Sequence, residues 1–186
     1  MKRRKRQDIK ETNKKFFDSW SKTYDKFLFR KLMWKWQEEA IKEIPKNCSR
    51  ILEIAPGTGR ALEILSKQRP NAKLCGTDIS QGMIKIAKER LQGKAKLYCE
   101  DAENMHYENE SFDAIFCTEA FHHFPNQRKA IREMSRVLKK EGALVIVDIN
   151  IPPLTISNFL FKLEPGFVKM LSAKEMRDLL KKEGLH

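Results

Sequence analysis

The sequence predicts an α/β fold: a mostly parallel, doubly wound sheet with helices on both faces. Three observations carry that prediction. Short apolar runs alternate with helix-period stretches between residues 50 and 149. The runs are apolar almost throughout, as in strands covered on both faces, rather than at every second position. Glycines and acids gather where the runs end, which is where such sheets bind ligands.

The elements follow in order. Residues 12–44 read as helix, because Phe16, Trp20, Tyr24 and Phe27 recur at three- to four-residue steps and Leu32, Trp36 and Ala40 continue the stripe. Pro45 ends that region. Residues 50–55 form a first strand and 60–67 a helix with Leu62 and Leu65 on one face. Residues 73–78 are a second strand, and 81–91 a helix that turns Met83, Ile84, Ala87 and Leu91 inward. Residues 95–99 and 111–117 are the third and fourth strands, and 126–140 a helix. Gly142 opens a fifth strand over 143–149, and a last helix covers 172–182.

The 186 residues are 41% hydrophobic and 33% charged, enough apolar material for one core and too much for a disordered chain. The longest purely apolar run, Ala143 to Val147, is far short of the ~20 residues of a membrane helix. No apolar stretch follows the basic N-terminus as in a secretory signal, so a cytoplasmic location is expected. Cys48, Cys75, Cys99 and Cys117 are scattered without a clustered ligand pattern. Reduced thiols, buried at the strand positions, and no metal site are therefore expected.

The net charge is +12, and half of it falls in the first fifteen residues, where eight basic residues face only Asp8 and Glu11. Residues 1–15 are expected to be a flexible, solvated arm. Such an arm could also meet a nucleic acid or an anionic membrane surface, although no aromatic residues interleave it.

Four strand ends carry the chemistry. After strand one come Glu53, Ala55, Gly57 and Gly59, a turn whose glycines let backbone N–H groups approach an anion. Asp78 closes strand two, 21 residues beyond Gly57, with Ile79 beside it, and a carboxylate there suits ribose hydroxyls as well as a helix cap. Asp101 and Ala102 follow strand three, and that pair suits an adenine. Thr118, Glu119, His122 and His123 follow strand four. A dinucleotide-binding protein shares the first two features and has no reason for the third.

With those residues in place, the chain resembles the class I S-adenosylmethionine-dependent methyltransferases over about residues 12–185. The resemblance rests on Ile51–Gly59, Gly76–Ser80, Asp101-Ala102, Phe112–Phe116, His122–Pro125 and Ile131–Leu138 leading to Gly142. Residues 17–25 look like the N-terminal segment of methyltransferases that act on quinone precursors and phospholipid head groups. The resemblance implies a Rossmann-like core over 47–150, a helical cap over 16–46, and an apolar substrate cap and last helix over 151–186. It implies S-adenosylmethionine as cofactor and S-adenosylhomocysteine as product. Glu53, Thr118 and Glu119 would then hold the methionine end, Gly57 and Gly59 would admit it closely, Asp78 would take the ribose, and Asp101 and Ala102 the adenine.

Methyl transfer is an in-line displacement from an activated cofactor, so the protein mainly aligns the reactants in a dry pocket. His122 and His123 are the candidate bases if the acceptor must lose a proton. Tyr24, with Trp20 and Phe17, could close over the cofactor or simply pack. Residues 151–170, rich in Leu, Ile and Phe, suggest a small, apolar or lipid-like acceptor, or a mask for the sheet edge.

Ala55 departs from the glycine usual at its position. Asn150 to Pro153 resembles a motif of amino-methylating nucleic-acid enzymes, but it follows strand five and lacks the aromatic residue. The chain stops at His186, whereas family members usually add two more strands, so truncation, a homodimer through the exposed strand-five edge, or cover of that edge by the N-terminal arm is expected. An RNA- or protein-directed methyltransferase, a nicotinamide-dependent oxidoreductase and a non-catalytic module remain alternatives.

Overall fold

The computed structural model describes residues 3–26, 28–150 and 152–185, with backbone alone at 3 and 28–32. Phe27, Ile151 and residues 1, 2 and 186, as well as the Leu32 side chain, lie outside the described residues.

The elements are α1 (Arg3–Trp20), a 3-10 turn (Tyr24–Lys26), α2 (Leu28–Glu43), β1 (Arg50–Ile54), α3 (Arg60–Gln68), β2 (Lys73–Asp78), α4 (Gln81–Leu91) and β3 (Ala95–Cys99). There follow β4 (Phe112–Thr118), a 3-10 turn (Phe121–His123), α5 (Gln127–Val137), β5 (Leu138–Val147), α6 (Leu154–Leu160), a 3-10 turn (Phe161–Leu163) and α7 (Ala173–Lys182). The five strands form one parallel sheet in the order β3-β2-β1-β4-β5. The order reverses at β1, so a crevice opens between the carboxyl ends of β1 and β4.

Alternation along the central strands divides the core into two layers. Ile51, Ala114 and Phe116 pack with Leu62, Leu65, Ala87 and Leu91 on the α2–α3–α4 side. Leu52, Ile54, Ile115 and Cys117 pack with Ala130, Ile131, Met134 and Val137 on the α5 side. Phe116 is fully buried, and truncating such an aromatic to alanine typically costs about 3–5 kcal/mol.

Three expectations change. Residues 3–15 are not a loose arm: they are the first turns of α1, and Lys10 is paired with Asp101 and Glu103 at the end of β3. The helix expected over 12–44 is two helices joined at Tyr24–Lys26. The helix expected to reach Lys140 ends at Val137, because Leu138 turns extended and pairs with Phe112, and the chain bulges before Ala143 meets Ala114.

The four cysteines are free. Cys99, expected inside, is exposed at the end of β3. Among the described residues no strand pairs beyond β5, and Ala143–Val147 stay half-buried. Within residues 154–163, Ile156, Phe159, Leu160 and Leu163 remain exposed. Among the described residues no helix is long and apolar enough to cross a membrane.

Candidate functional site

A cavity of about 750 Å³, its mouth included, opens at the carboxyl ends of β1, β2, β3 and β4. Ten of the residues singled out in the sequence line it: Tyr24, Ala55, Gly57, Asp78, Ile79, Asp101, Ala102, Thr118, Glu119 and His123. Glu53, Gly59 and His122 do not line it.

Glu53 closes the floor from below. It is 1% exposed, the Leu62 N–H in the first turn of α3 donates to its carboxylate, and its Oε2 is buried without a hydrogen-bond partner. Burial, then the neighbouring Asp78 and Glu119 carboxylates, push its carboxyl well above the usual range. Asp78 accepts from the Ser80 N–H at 2.9 Å and the Gly57 N–H at 3.1 Å, which fixes the glycine turn against β2. Burial outweighs those two bonds and raises its carboxyl to about 6. It is not the cap of α4, because Ser80 takes that role and accepts from the Met83 N–H.

Gly57 and Gly59 do different work. Gly57, at φ 55°, faces the cavity with only the Tyr24 ring near its missing Cβ. Gly59, at φ 79°, sits where α4 crosses α3, and a Cβ there would stand 3.0 Å from Ala87 Cβ and 3.1 Å from Leu91 Cδ1. Its service is close helix packing, not approach to a ligand. Ala55 itself adopts φ 55°, the left-handed conformation for which glycine is usual.

At the far end, Asp101 accepts from the Glu103 N–H at 2.9 Å and pairs with Lys10. Lys10 also reaches Glu103 Oε2 at 2.7 Å. Asp101 therefore shares its charge with α1 before any adenine arrives. The two histidines separate: His122 Nδ1 is 2.6 Å from Asp148 Oδ1, while the His123 ring packs edge-on to Phe17, with ring centres 5.1 Å apart.

Sequence reasoning missed what holds the roof. Asp18 on α1 accepts from Ser80 Oγ at 2.7 Å and from the Gly82 N–H at 2.8 Å, at the start of α4. Asp25 accepts from Thr58 Oγ1 at 2.9 Å and pairs with Arg90 at 2.5 Å, which clamps the Tyr24 turn over the glycine loop. Both acids lie inside the 17–25 segment, so the resemblance marked the segment without giving these roles.

Five carboxylates, Asp78, Glu100, Asp101, Glu103 and Glu119, line the cavity, and Glu53 behind them has a buried oxygen lacking a partner; the set suits a ligand that brings positive charge and hydroxyl donors. S-adenosylmethionine offers an ammonium, a sulfonium and a ribose diol, and the donor set fits it. Fold and cavity together place the chain among the class I S-adenosylmethionine-dependent methyltransferases. It belongs to the methyltransferase-domain family, whose profile matches residues 52–146.

The chain is 35% identical over 122 residues to a demethylmenaquinone methyltransferase of Thermotoga maritima, covering 65% of this chain and 52% of that one. It thus spans about half the length of that enzyme. It is 32% identical over 197 aligned positions to the uncharacterized protein MJ1252 of Methanocaldococcus jannaschii, covering 92% and 75%. A solved structure from Thermotoga maritima, described as an S-adenosylmethionine-dependent methyltransferase and possible histamine N-methyltransferase, superposes with a TM-score of 0.74 at 26% identity, covering 90% of this chain and 79% of the other.

Proposed function

We propose that the chain binds S-adenosylmethionine in the strand-end cavity and passes its methyl group to a small apolar acceptor of the quinone-precursor kind. The observation that carries the reading is the acid floor of the cavity, with Glu53 Oε2 buried and unpartnered and the Asp78 carboxyl raised to about 6. Similarity to a demethylmenaquinone methyltransferase supports the acceptor class.

The cofactor would supply a methyl group already activated on sulfur. Glu119 on the cavity wall, with Glu53 buried behind it, accepts from its ammonium end, Asp78 accepts from the ribose hydroxyls, and Ala102 bounds the adenine end beside Asp101. Tyr24 and Phe17 close the cavity from above and exclude water, which favours displacement over hydrolysis. His123, at the cavity wall, is the histidine that turnover depends on, and His122 is fixed behind it by Asp148. The exposed apolar residues of 156–163 suit delivery of an amphiphilic acceptor.

Calorimetric titration with S-adenosylhomocysteine, with NADH in parallel, tests the reading. Selective binding that Asp78→Ala weakens by at least tenfold supports it. NADH binding instead, or an affinity indifferent to Asp78→Ala, overturns it. His123→Ala should then lower turnover of a demethylated quinone precursor while leaving cofactor affinity within about twofold.

A further inference from the structure

Beside the cavity stands a group of side chains that cofactor binding does not use. His122 and His123, in the turn after β4, meet Glu164, which follows the 3-10 turn Phe161–Leu163. One ligand atom from each lies within 4.8 Å of the other two. His122 is 2% and His123 6% exposed, and Glu164 is half-buried. His123 Nε2 and Glu164 Oε1 are 3.6 Å apart, and His123 Nδ1 is buried without a hydrogen-bond partner.

That spacing is long for a hydrogen bond and close to what two ligands of one ion require. Two atoms each about 2.1 Å from a tetrahedral zinc ion stand roughly 3.4 Å apart. The His122–His123 ring centres are 4.3 Å apart with the planes tilted by 44°, so the two imidazoles are direct neighbours. Asp148 supplies what a metal-bound histidine characteristically has behind it. Its Oδ1 is 2.6 Å from His122 Nδ1, which fixes the tautomer and leaves Nε2 for an ion. The backbone ties the two halves together independently, since the Val168 N–H donates to the His122 carbonyl at 2.9 Å.

We propose that His122, His123 and Glu164 form a binding site for a divalent zinc-class ion, oriented by Asp148 and joining the strand-four turn to the segment after α6. Two imidazoles and a carboxylate select borderline first-row ions over magnesium or calcium, which prefer oxygen. Three protein ligands leave a coordination position for water or an acceptor oxygen. The ion gives His123 a ligand's role in turnover rather than a proton carrier's. The site does not depend on the cofactor reading, and each can fail without the other.

The test uses the full chain, stripped with a chelator and titrated with Zn²⁺ by calorimetry and with Co²⁺ by visible absorption. One ion per chain is expected, with the strong visible bands of four-coordinate cobalt. Asp148→Asn should weaken Zn²⁺ affinity by roughly 10–100-fold, and Glu164→Gln and His122→Gln by at least as much. His106→Gln, at the separate His106–Glu100 pair, should change nothing. Cooperative thermal unfolding of each metal-free variant checks that it is folded. If His122→Gln does not fold, Glu164→Gln, at a half-exposed position, decides alone. Absence of binding at 1:1 stoichiometry overturns the proposal and leaves His123 and Glu164 as an ion pair. Equal affinity in wild type and Glu164→Gln overturns it as well, as adventitious surface binding.

Discussion

Acidifying the ligand-free protein from pH 7 to pH 4 should stabilise it through Asp78, and Asp78→Asn should remove that gain. The folded carboxyl titrates at about 6, against 3.8 for an ordinary aspartate. The native state therefore holds a proton that the unfolded chain has released, and stability is greatest below pH 3.8 and falls as the pH rises to about 6. At about 1.4 kcal/mol per pH unit, the gap is worth about 3 kcal/mol. Other carboxyls act on both chains: Glu63, Glu133 and Glu183 sit below their ordinary values and lose stability on further acidification, while Glu53 is raised and acts like Asp78. The difference between wild type and variant reports Asp78 together with its effect on Glu53, whose carboxyl the Asp78 charge helps to raise. Urea unfolding of both chains at pH 4.0, 5.0, 6.0 and 7.0 measures it. The wild type should fall by about 2.4 kcal/mol relative to Asp78→Asn across that window, since part of the gap lies below pH 4. Parallel curves would show that Asp78 is solvated in the free protein, and the acid-floor argument for a cationic ligand would fail with them.

Gly59→Ala should destabilise by about 2–4 kcal/mol, from left-handed backbone strain and the collision with Ala87 and Leu91, read as a lower urea midpoint. A midpoint unchanged from wild type would mean α3 and α4 are not in close contact there. Ala55→Gly should stabilise by about 0.5–1 kcal/mol, since relief of the φ 55° strain exceeds the entropy glycine adds to the unfolded chain. Asp25→Ala, which frees the Tyr24 turn from Thr58 and Arg90, should weaken S-adenosylhomocysteine binding by about three- to tenfold and leave amide protection in the sheet unchanged. Loss of sheet protection in that variant would make the clamp a part of the core.

What the sequence displayed well was the set of strand ends. Apolar runs in a parallel sheet stop where the chain leaves the core, so Asp78 and Asp101 were tied to the crevice by position alone, and the cavity forms around them. The glycine loop was ambiguous because a glycine that admits a ligand and one that admits a neighbouring helix look alike. Only the arrival of Ala87 and Leu91, some thirty residues later, separates Gly57 from Gly59. The basic terminus misled for a related reason. Its density of lysine and arginine reads as solvated, yet Lys10 finds both its partners more than ninety residues away. His122 and His123 could not be told apart by adjacency, since a single 3-10 turn sends one to Asp148 and the other to the cavity wall. Glu164, forty-one residues after His123, left no spacing to read.

The roof over the cavity has its own mechanical identity. Neither buried layer of the sheet includes a residue of α1. The helix is held mainly by charged and polar fasteners, Lys10 toward β3, Asn13 toward the turn after β4 and Asp18 toward α4, with Phe17 against the His123 ring. Such an element can lift as a unit while the sheet stays intact. Escape of a bound molecule would then be timed by a helix undocking rather than by rupture of the molecule's own contacts, and raising the ionic strength, which loosens those fasteners, would shorten its stay.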